Sequence, residues 1–483
     1  MNFKGRTVAI ITVVTMIFSS LLTVLVVGDG GLIDQLESGT LFSFDRSQSF
    51  ETHEEKLKQA YQTITSSYLH KVNEEQLIDG AIKGMIESLG DPYSAYMSPK
   101  EAAQFEEDLQ SSFTGIGAEV TLTNGQVTII APIKDSPAEK AGLRAGDQVL
   151  KVNGQSLEGM DLQEAVSKIR GPKGTKAQLL ISRPGVSEPL NITVVRDEIS
   201  LQTVEATMLP DKIGRITLTQ FSENTAEDFA KELKKLEEQG INGLIIDVRG
   251  NPGGLLQSVL EICDQLVPGK KRVLMTEDKS GNRTEYHSKL ETKKPYPITV
   301  LIDKGSASAS EILAAALKES GGYPLVGETT FGKGTVQTTK SFDDGSNLKL
   351  TIAKWLTPEG NWIDQHGGTK GIKPDVPVKK PAYANVLPPQ PDAPLKKDDN
   401  STEVKNMQLI LDALGYHPGR TDGYFDGSTE QAVKSFQKKE GIPETGQLDE
   451  VSSEKLRQAF INFLRDPKND VTLQVAVELL KKK

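Results

Sequence analysis

Cysteine and histidine are scarce in this 483-residue chain. A single cysteine, Cys263, excludes an intrachain disulfide and any thiolate metal cluster. The five histidines (His53, His70, His287, His366 and His417) include no pair at HExxH spacing, which argues against a zinc hydrolase. No GxxxxGKS or GxxxxGKT stretch offers a nucleotide phosphate loop. Positive charge is in deficit too: 56 Lys+Arg against 66 Asp+Glu give a net charge of -10. A nucleic-acid binder would need a basic surface to neutralise phosphates, so that class is disfavoured. What remains is ordinary globular material. Hydrophobic residues make up 37% and charged residues 25%, which rules out wholesale disorder. The length suits about three domains.

Residues 7–27, TVAIITVVTMIFSSLLTVLVV, carry no charge. At about 1.5 Å per residue they reach roughly the 30 Å of a bilayer core. Lys4 and Arg6 precede the run and Asp29 follows it. The positive-inside bias therefore leaves the N-terminus in the cytoplasm and the rest of the chain outside. A cleaved signal peptide is the rival reading, but VVGDGG is a poor small-x-small cleavage site, so an uncleaved anchor over residues 1–28 is favoured. The expected location is the cell membrane, single-pass, with the bulk of the chain extracytoplasmic.

Residues 29–53 read as a tether and 54–112 as helical. Leu77, Ile78, Ala81, Ile82, Met85, Ile86 and Leu89 recur at three and four, the stripe of a packing helix. Asn73 with Gln76 suits its start, and Gly90-Asp91-Pro92 its end. Residues 113–196 read as a compact β-rich module, with a hairpin turn at Asn124-Gly125. Its SPAEKAGLRAGDQVLKVNGQSL stretch (136–157) resembles a PDZ domain in its circularly permuted bacterial form. Such domains add a peptide as an extra strand and capture its terminal carboxylate on backbone N–H groups. The resemblance implies donors around Phe113, Gly115, Ile116 and Gly117. Arg170, in IRGPKG, is either a sensor of that carboxylate or a solvated surface arginine.

From 197 to 385 strands and helices alternate, an α/β pattern. Strands are expected at 213–218, 243–248, 298–302, 325–327, 334–342 and 348–356. Helices are expected at 225–239, capped by Thr225, at 255–267, and from 310. Two junctions stand out: IIDVRGNPGGLL (245–256) and VLIDKGSASASEILAAAL (300–317) each run strand, small-residue turn, helix. They aim backbone N–H groups where an anion or a developing oxyanion would sit. A serine on such an elbow is an exposed nucleophile and needs a base. Lys333, flanked by Gly332 and Gly334 in GETTFGKGTVQ (327–337), becomes one if desolvation lowers its pKa. Gln337 lies four residues on, which on a strand puts both side chains on one face. From the residues alone, a surface lysine in a hairpin is the commoner reading.

Taken together, DVRGNPGG, GSASASEI and GETTFGKGTVQ, with LKLTIAKWLTPEG, GIKPDV, GMIESLGDPYSAYMSP and FTGIG, resemble the carboxy-terminal processing (tail-specific) family of serine peptidases over roughly residues 55–385. The resemblance implies Ser308 as nucleophile, Lys333 as general base and Gln337 as its orienting partner. It implies an oxyanion hole from Ala309 with Gly253 or Gly254, no metal and no cofactor. Ser306 and Ser310 would be structural, and Asp247 and Arg249 would hold their turn through a salt bridge. Substrates would be proteins or peptides with free C-termini, which the PDZ module delivers or uses as a gate. A scaffold with a decayed protease core and an acyl-transfer enzyme are the rival classes. The intact Ser308, Lys333 and Gln337 set speaks against both.

Residues 386–399 read as a linker. The stretch 404–449, with LGY, DGYFDGST, AVKSFQ and TGQLD, resembles the three-helix peptidoglycan-binding-like domain, departing mildly at Asp426. Over 400–465 it implies attachment to peptidoglycan or a packing role such as a homodimer contact. A last amphipathic helix is expected in 466–483. The fold class expected is therefore multidomain α/β: a mixed α/β serine-protease core, an inserted β-rich PDZ domain, an N-terminal helical segment and a small C-terminal helical domain.

Overall fold

The computed structural model describes residues 48–482 apart from positions 111, 124 and 392. The anchor expected over 1–28, most of the tether and the first residue of the Asn124-Gly125 turn lie outside the described residues. Among those described, no helix is long and apolar enough to cross a membrane. The chain divides into two compact units, one of residues up to Ala102 with Met275–Tyr286 and Thr335–Trp355, the other of Ala103–Leu274, His287–Gly334 and Leu356–Lys483.

The first unit carries helices Gln48–Ser67 and Glu74–Glu87 and a five-stranded sheet. Asn73 caps the second helix, its side chain accepting from the N–H groups of Glu75 and Gln76. In the stop that follows, Asp91 accepts from Tyr93 N–H (3.0 Å) and Ser94 Oγ (2.6 Å). Ser94 Oγ in turn accepts from Thr351 N–H at 3.0 Å, which ties the GDPYS turn to the sheet. The apolar stripe of Glu74–Glu87 departs from expectation. None of its residues is buried, and Ile78 and Met85 stay exposed. The period fixes which side is apolar but says nothing of what covers it.

In the second unit a six-stranded sheet runs in the order Val204–Leu209, Ile213–Leu218, Gly243–Asp247, Ile298–Ile302, Leu325–Gly327, Val376–Pro377. The first pair is antiparallel and the rest are parallel. Gly243–Asp247 and Ile298–Ile302 are buried at every position, as their unbroken apolar runs require of central parallel strands. Helix Thr225–Glu238 follows Asn224 as its cap rather than starting from one at Thr225, whose hydroxyl instead accepts from Ser222 N–H at 2.9 Å. One face of this sheet is closed from far along the chain. Leu473, Ala476, Val477 and Leu480 of helix Val471–Lys481 join Leu209, Ile213, Ile245, Leu301 and Val326 in a single apolar cluster. The helix set apart in the sequence as 466–483 is thus part of the core packing.

A second six-stranded sheet, antiparallel throughout, starts at edge strand Ala118–Thr123 and continues through Gln126–Pro132, Gln148–Val152, Lys176–Ser182 and Leu190–Val195, with Gln155–Ser156 beside the third. Helix Leu162–Ile169 packs onto it through Ala165 and Ile169. Three further helices, Thr402–Ala413, Gly427–Glu440 and Glu450–Arg465, enclose Met407, Leu411, Val433, Phe436 and Leu456. Asp426, the departure noted above, caps the middle helix by accepting from Thr429 N–H at 2.9 Å.

Candidate active site

Strand Ile298–Ile302 turns through six residues into helix Ala309–Ala315, and Ser308 is the last of the six. Its φ of 52° and ψ of -112° lie where non-glycine residues rarely sit, a cost of about 1–3 kcal/mol. Such strain needs fastening. Ser308 N–H donates to Glu311 Oε2 at 2.8 Å. The same buried carboxylate accepts from Lys333 N–H (2.8 Å), Gly332 N–H (2.7 Å) and Thr330 Oγ1 (2.5 Å). One side chain therefore joins the Ser308 elbow to the loop that carries Lys333. Burial raises the pKa of Glu311, and its four donors oppose that rise. Glu311 was not singled out from the sequence, although Ser308-Ala-Ser-Glu311 is the S-x-x-E pattern of a capping box and could have revealed it.

The Lys333 loop is braced from a third segment. Trp362 Nε1 donates to Gly334 O at 2.9 Å and Gln365 N–H to Gly332 O at 3.0 Å. A Cβ on Gly334 would meet Ile363 O at 1.9 Å, so no other residue fits there. Two premises about Lys333 need correction. The strand begins at Thr335, so Lys333 precedes it, and a register shift between Val336 and Gln337 breaks the alternation that would have put Lys333 and Gln337 on one face. Phe331, two residues before Lys333 in the segment expected to desolvate it, is exposed. Gln337 belongs to the other unit, where its amide donates to Thr335 Oγ1 (2.8 Å) and Thr351 Oγ1 (3.2 Å).

The 248–254 turn lies against the elbow. Ala307 N–H and Ser310 Oγ donate to Asn251 O at 3.0 and 2.9 Å, and Ser306 Oγ donates to Val248 O at 2.8 Å. Ser306 and Ser310 thus serve as structural ties. A Cβ on Gly253 would stand 3.0 Å from Ser308 Cβ and 3.1 Å from Ala309 N. The two glycines differ in what their N–H groups do. That of Gly253 donates to Asn251 Oδ1 at 2.8 Å, whereas those of Gly254 and Ala309 have no acceptor among the described residues. Asp247 and Arg249 form the expected salt bridge, at 2.7 Å, and Asp470 joins it.

The residues around the PDZ loop also come together. Arg170 pairs with Glu107, contacts Gln104 at 3.5 Å and lies 4.9 Å over the Phe113 ring. A Cβ on Gly115 would be 3.7 Å from Arg170 Cγ. Arg170 is therefore not a solvated surface arginine. The side chain of Ile116 is buried in the module's core, so what it can offer a ligand is its backbone. The N–H groups of Ile116 and Gly117 have no acceptor among the described residues.

Known proteins share this layout. The model of peptidase family S41 matches residues 212–378, and that of a PDZ domain matches 128–183. The N-terminal domain of the activating protease CtpB matches 34–101, and a peptidoglycan binding domain matches 400–456. The carboxy-terminal processing protease CtpB of Bacillus subtilis (strain 168) is 48% identical over 429 residues, 88% of each chain. CtpA of the same organism is 43% identical over 473 residues, 98% of each chain. This chain belongs to the carboxy-terminal processing proteases. It is a serine peptidase of family S41 with a PDZ domain and a peptidoglycan-binding domain. Among solved structures, the photosystem II D1 C-terminal processing protease covers 66% of this processing protease and 92% of its own chain, at 28% identity and a TM-score of 0.40.

Proposed function

We propose that this processing protease cuts by a Ser308/Lys333 mechanism in a membrane-anchored, extracytoplasmic setting. Neutral Lys333 takes the Ser308 proton as Oγ attacks the scissile carbonyl. The oxyanion is held by Ala309 N–H and by Gly254 N–H, preferred over Gly253 because the latter's N–H is spent on Asn251. Charged Lys333 then protonates the leaving amine, and water releases the acyl-enzyme. The observation that carries the reading is Glu311, one carboxylate shared by the backbone of Ser308 and of Lys333. The uncharged run 7–27 supports the anchor, and the peptidoglycan-binding domain supports attachment to the wall.

Ser308→Ala should abolish cleavage of an unstructured protein and leave folding intact. Lys333→Ala should be equally inactive, since the two residues act as a unit. Lys333→Arg should fail as well, because arginine stays charged. Activity of Lys333→Arg equal to wild type would exclude the base role.

The same proposal makes the PDZ domain a sensor of substrate C-termini. An entering peptide pairs along the open edge of Ala118–Thr123, and its carboxylate meets the N–H groups of Ile116 and Gly117 and draws Arg170 from Glu107. Peptides with a free apolar C-terminus should raise turnover and amidated ones should not. Identical effects of the two forms would remove carboxylate sensing. Deleting 113–196 separates the two roles: a gate leaves a constitutively active remainder, a delivery arm a weak one.

A further inference from the structure

The 248–254 turn is fastened on two sides. Toward the elbow it uses the Ser306, Ala307 and Ser310 bonds already described, and Gly250 N–H donates to Asp303 Oδ1 at 2.9 Å. On the other side Arg249 reaches Asp470, which precedes the helix Val471–Lys481 that covers the core sheet. The guanidinium gives Nε and Nη2 to Asp247 at 2.9 and 2.7 Å. It gives Nη1 and Nη2 to Asp470 at 2.9 and 2.7 Å, across 221 positions of sequence. Each carboxylate is gripped through both oxygens, the geometry that fixes direction as well as distance. The side chains of Arg249, Asp247 and Asp470 are only 20%, 6% and 22% exposed, so solvent screens the group weakly.

Asp470 has a second task. Its Oδ1 also accepts from Leu473 N–H at 3.0 Å and so caps the helix. Burial pushes its carboxyl pKa up, but the bonds from Arg249 outweigh this and hold it below the usual carboxylate range.

We propose that Asp470 is a positioning residue for the peptidase: through Arg249 it fixes the 248–254 turn, and with it the Gly254 N–H, against the Ser308 elbow. Held by Asp247 alone, Arg249 is restrained along one edge and belongs to the strand it departs from. With Asp470 on its second edge it ties that turn to the helix across the sheet face. Oxyanion stabilisation depends on donors that need no rearrangement at the moment of reaction, and small misplacements of such groups are costly. The inference rests on the Ser308 and Gly254 reading given above.

Two variants of the full chain separate the two tasks. Asp470→Asn keeps a good helix cap and loses the charge that faces Arg249. Asp470→Glu keeps the charge and weakens the cap. With an unstructured fluorogenic peptide, Asp470→Asn should lower kcat roughly tenfold, with KM within about twofold, a loss larger than its lowered Tm accounts for on the Leu480→Ala line. Asp470→Glu should lower Tm and recover most of kcat. Leu480→Ala, which loosens the same helix at its other end, sets the loss that loosening alone produces. Wild-type kcat in Asp470→Asn overturns the proposal. So does a loss in both Asp470 variants that merely follows Tm along the Leu480→Ala line. Ser308→Ala is run beside them. If it still cuts, the Ser308 reading fails and this inference with it. If it is silent while Asp470→Asn is fully active, this inference fails alone.

Discussion

At the Ser308 elbow the fastening carboxylate is Glu311, buried and three residues away. At the 247–254 turn it is Asp470, 221 positions away and reached through Arg249. Both junctions run strand, small-residue turn, helix. They differ in the chemistry that holds them. Glu311 accepts four donors from neutral groups and faces no counter-charge in those bonds, so burial dominates and its pKa rises. Asp470 meets a guanidinium, so charge dominates and its pKa falls. The elbow is held by a local cap extended to a second loop, and the turn by an ion pair spanning the sheet face. A local device resists loosening elsewhere in the molecule, whereas the long-range one reports whether the distant helix is docked.

The largest test falls on the local device. Glu311→Gln replaces an acceptor by an amide whose NH2 must face N–H donors. It should destabilise by about 1–3 kcal/mol and cut kcat roughly a hundredfold, read by steady-state peptide cleavage and by the acylation burst. Wild-type kcat there would mean that the elbow holds itself and that the shared carboxylate is incidental. Arg249→Lys keeps the charge but not the fork, and should cost roughly tenfold in kcat with KM little changed. A loss as large as that of Glu311→Gln would erase the distinction drawn here.

The smallest effect is the sharpest in sign. The depressed pKa of Asp470 contributes stability that is present above its unfolded value, about 4, and is lost as pH falls through the folded value. The raised pKa of Glu311 works the other way: its contribution is fullest below an unfolded value of about 4.3 and is lost as pH rises towards the folded one. Urea unfolding between about pH 3 and 6 should therefore flatten differently in the two variants. Asp470→Asn should lose the rise on the acid side, and Glu311→Gln the decline above it. The same change in both would show that neither carboxylate titrates as its surroundings dictate.

What could be read in advance follows the same division. The two junctions were legible because strand, glycine turn and helix are contiguous, as in IIDVRGNPGGLL. The three helices near the C-terminus were expected only through the family resemblance of 404–449. The apolar stripe of Glu74–Glu87 was visible, but its exposure was not, since periodicity names a face and not a neighbour. The shared face of Lys333 and Gln337 failed because strand pairing begins at Thr335 and slips at Val336, a register detail that glycine flanks do not disclose. The partners Glu107 for Arg170 and Asp470 for Arg249 had no signature at all. A single charged pair between remote segments leaves no period in the sequence.

Helix Val471–Lys481 also constrains the order in which the molecule can be put together. A ribosome makes Ile213, Ile245, Leu301 and Val326 long before Leu473 and Leu480, which cover them. Between the two lies the three-helix module with a core of its own, built around Phe436 and Leu456. That module can close while the sheet's apolar face still waits for its lid, so the half-built enzyme offers chaperones an apolar surface that the finished one withdraws.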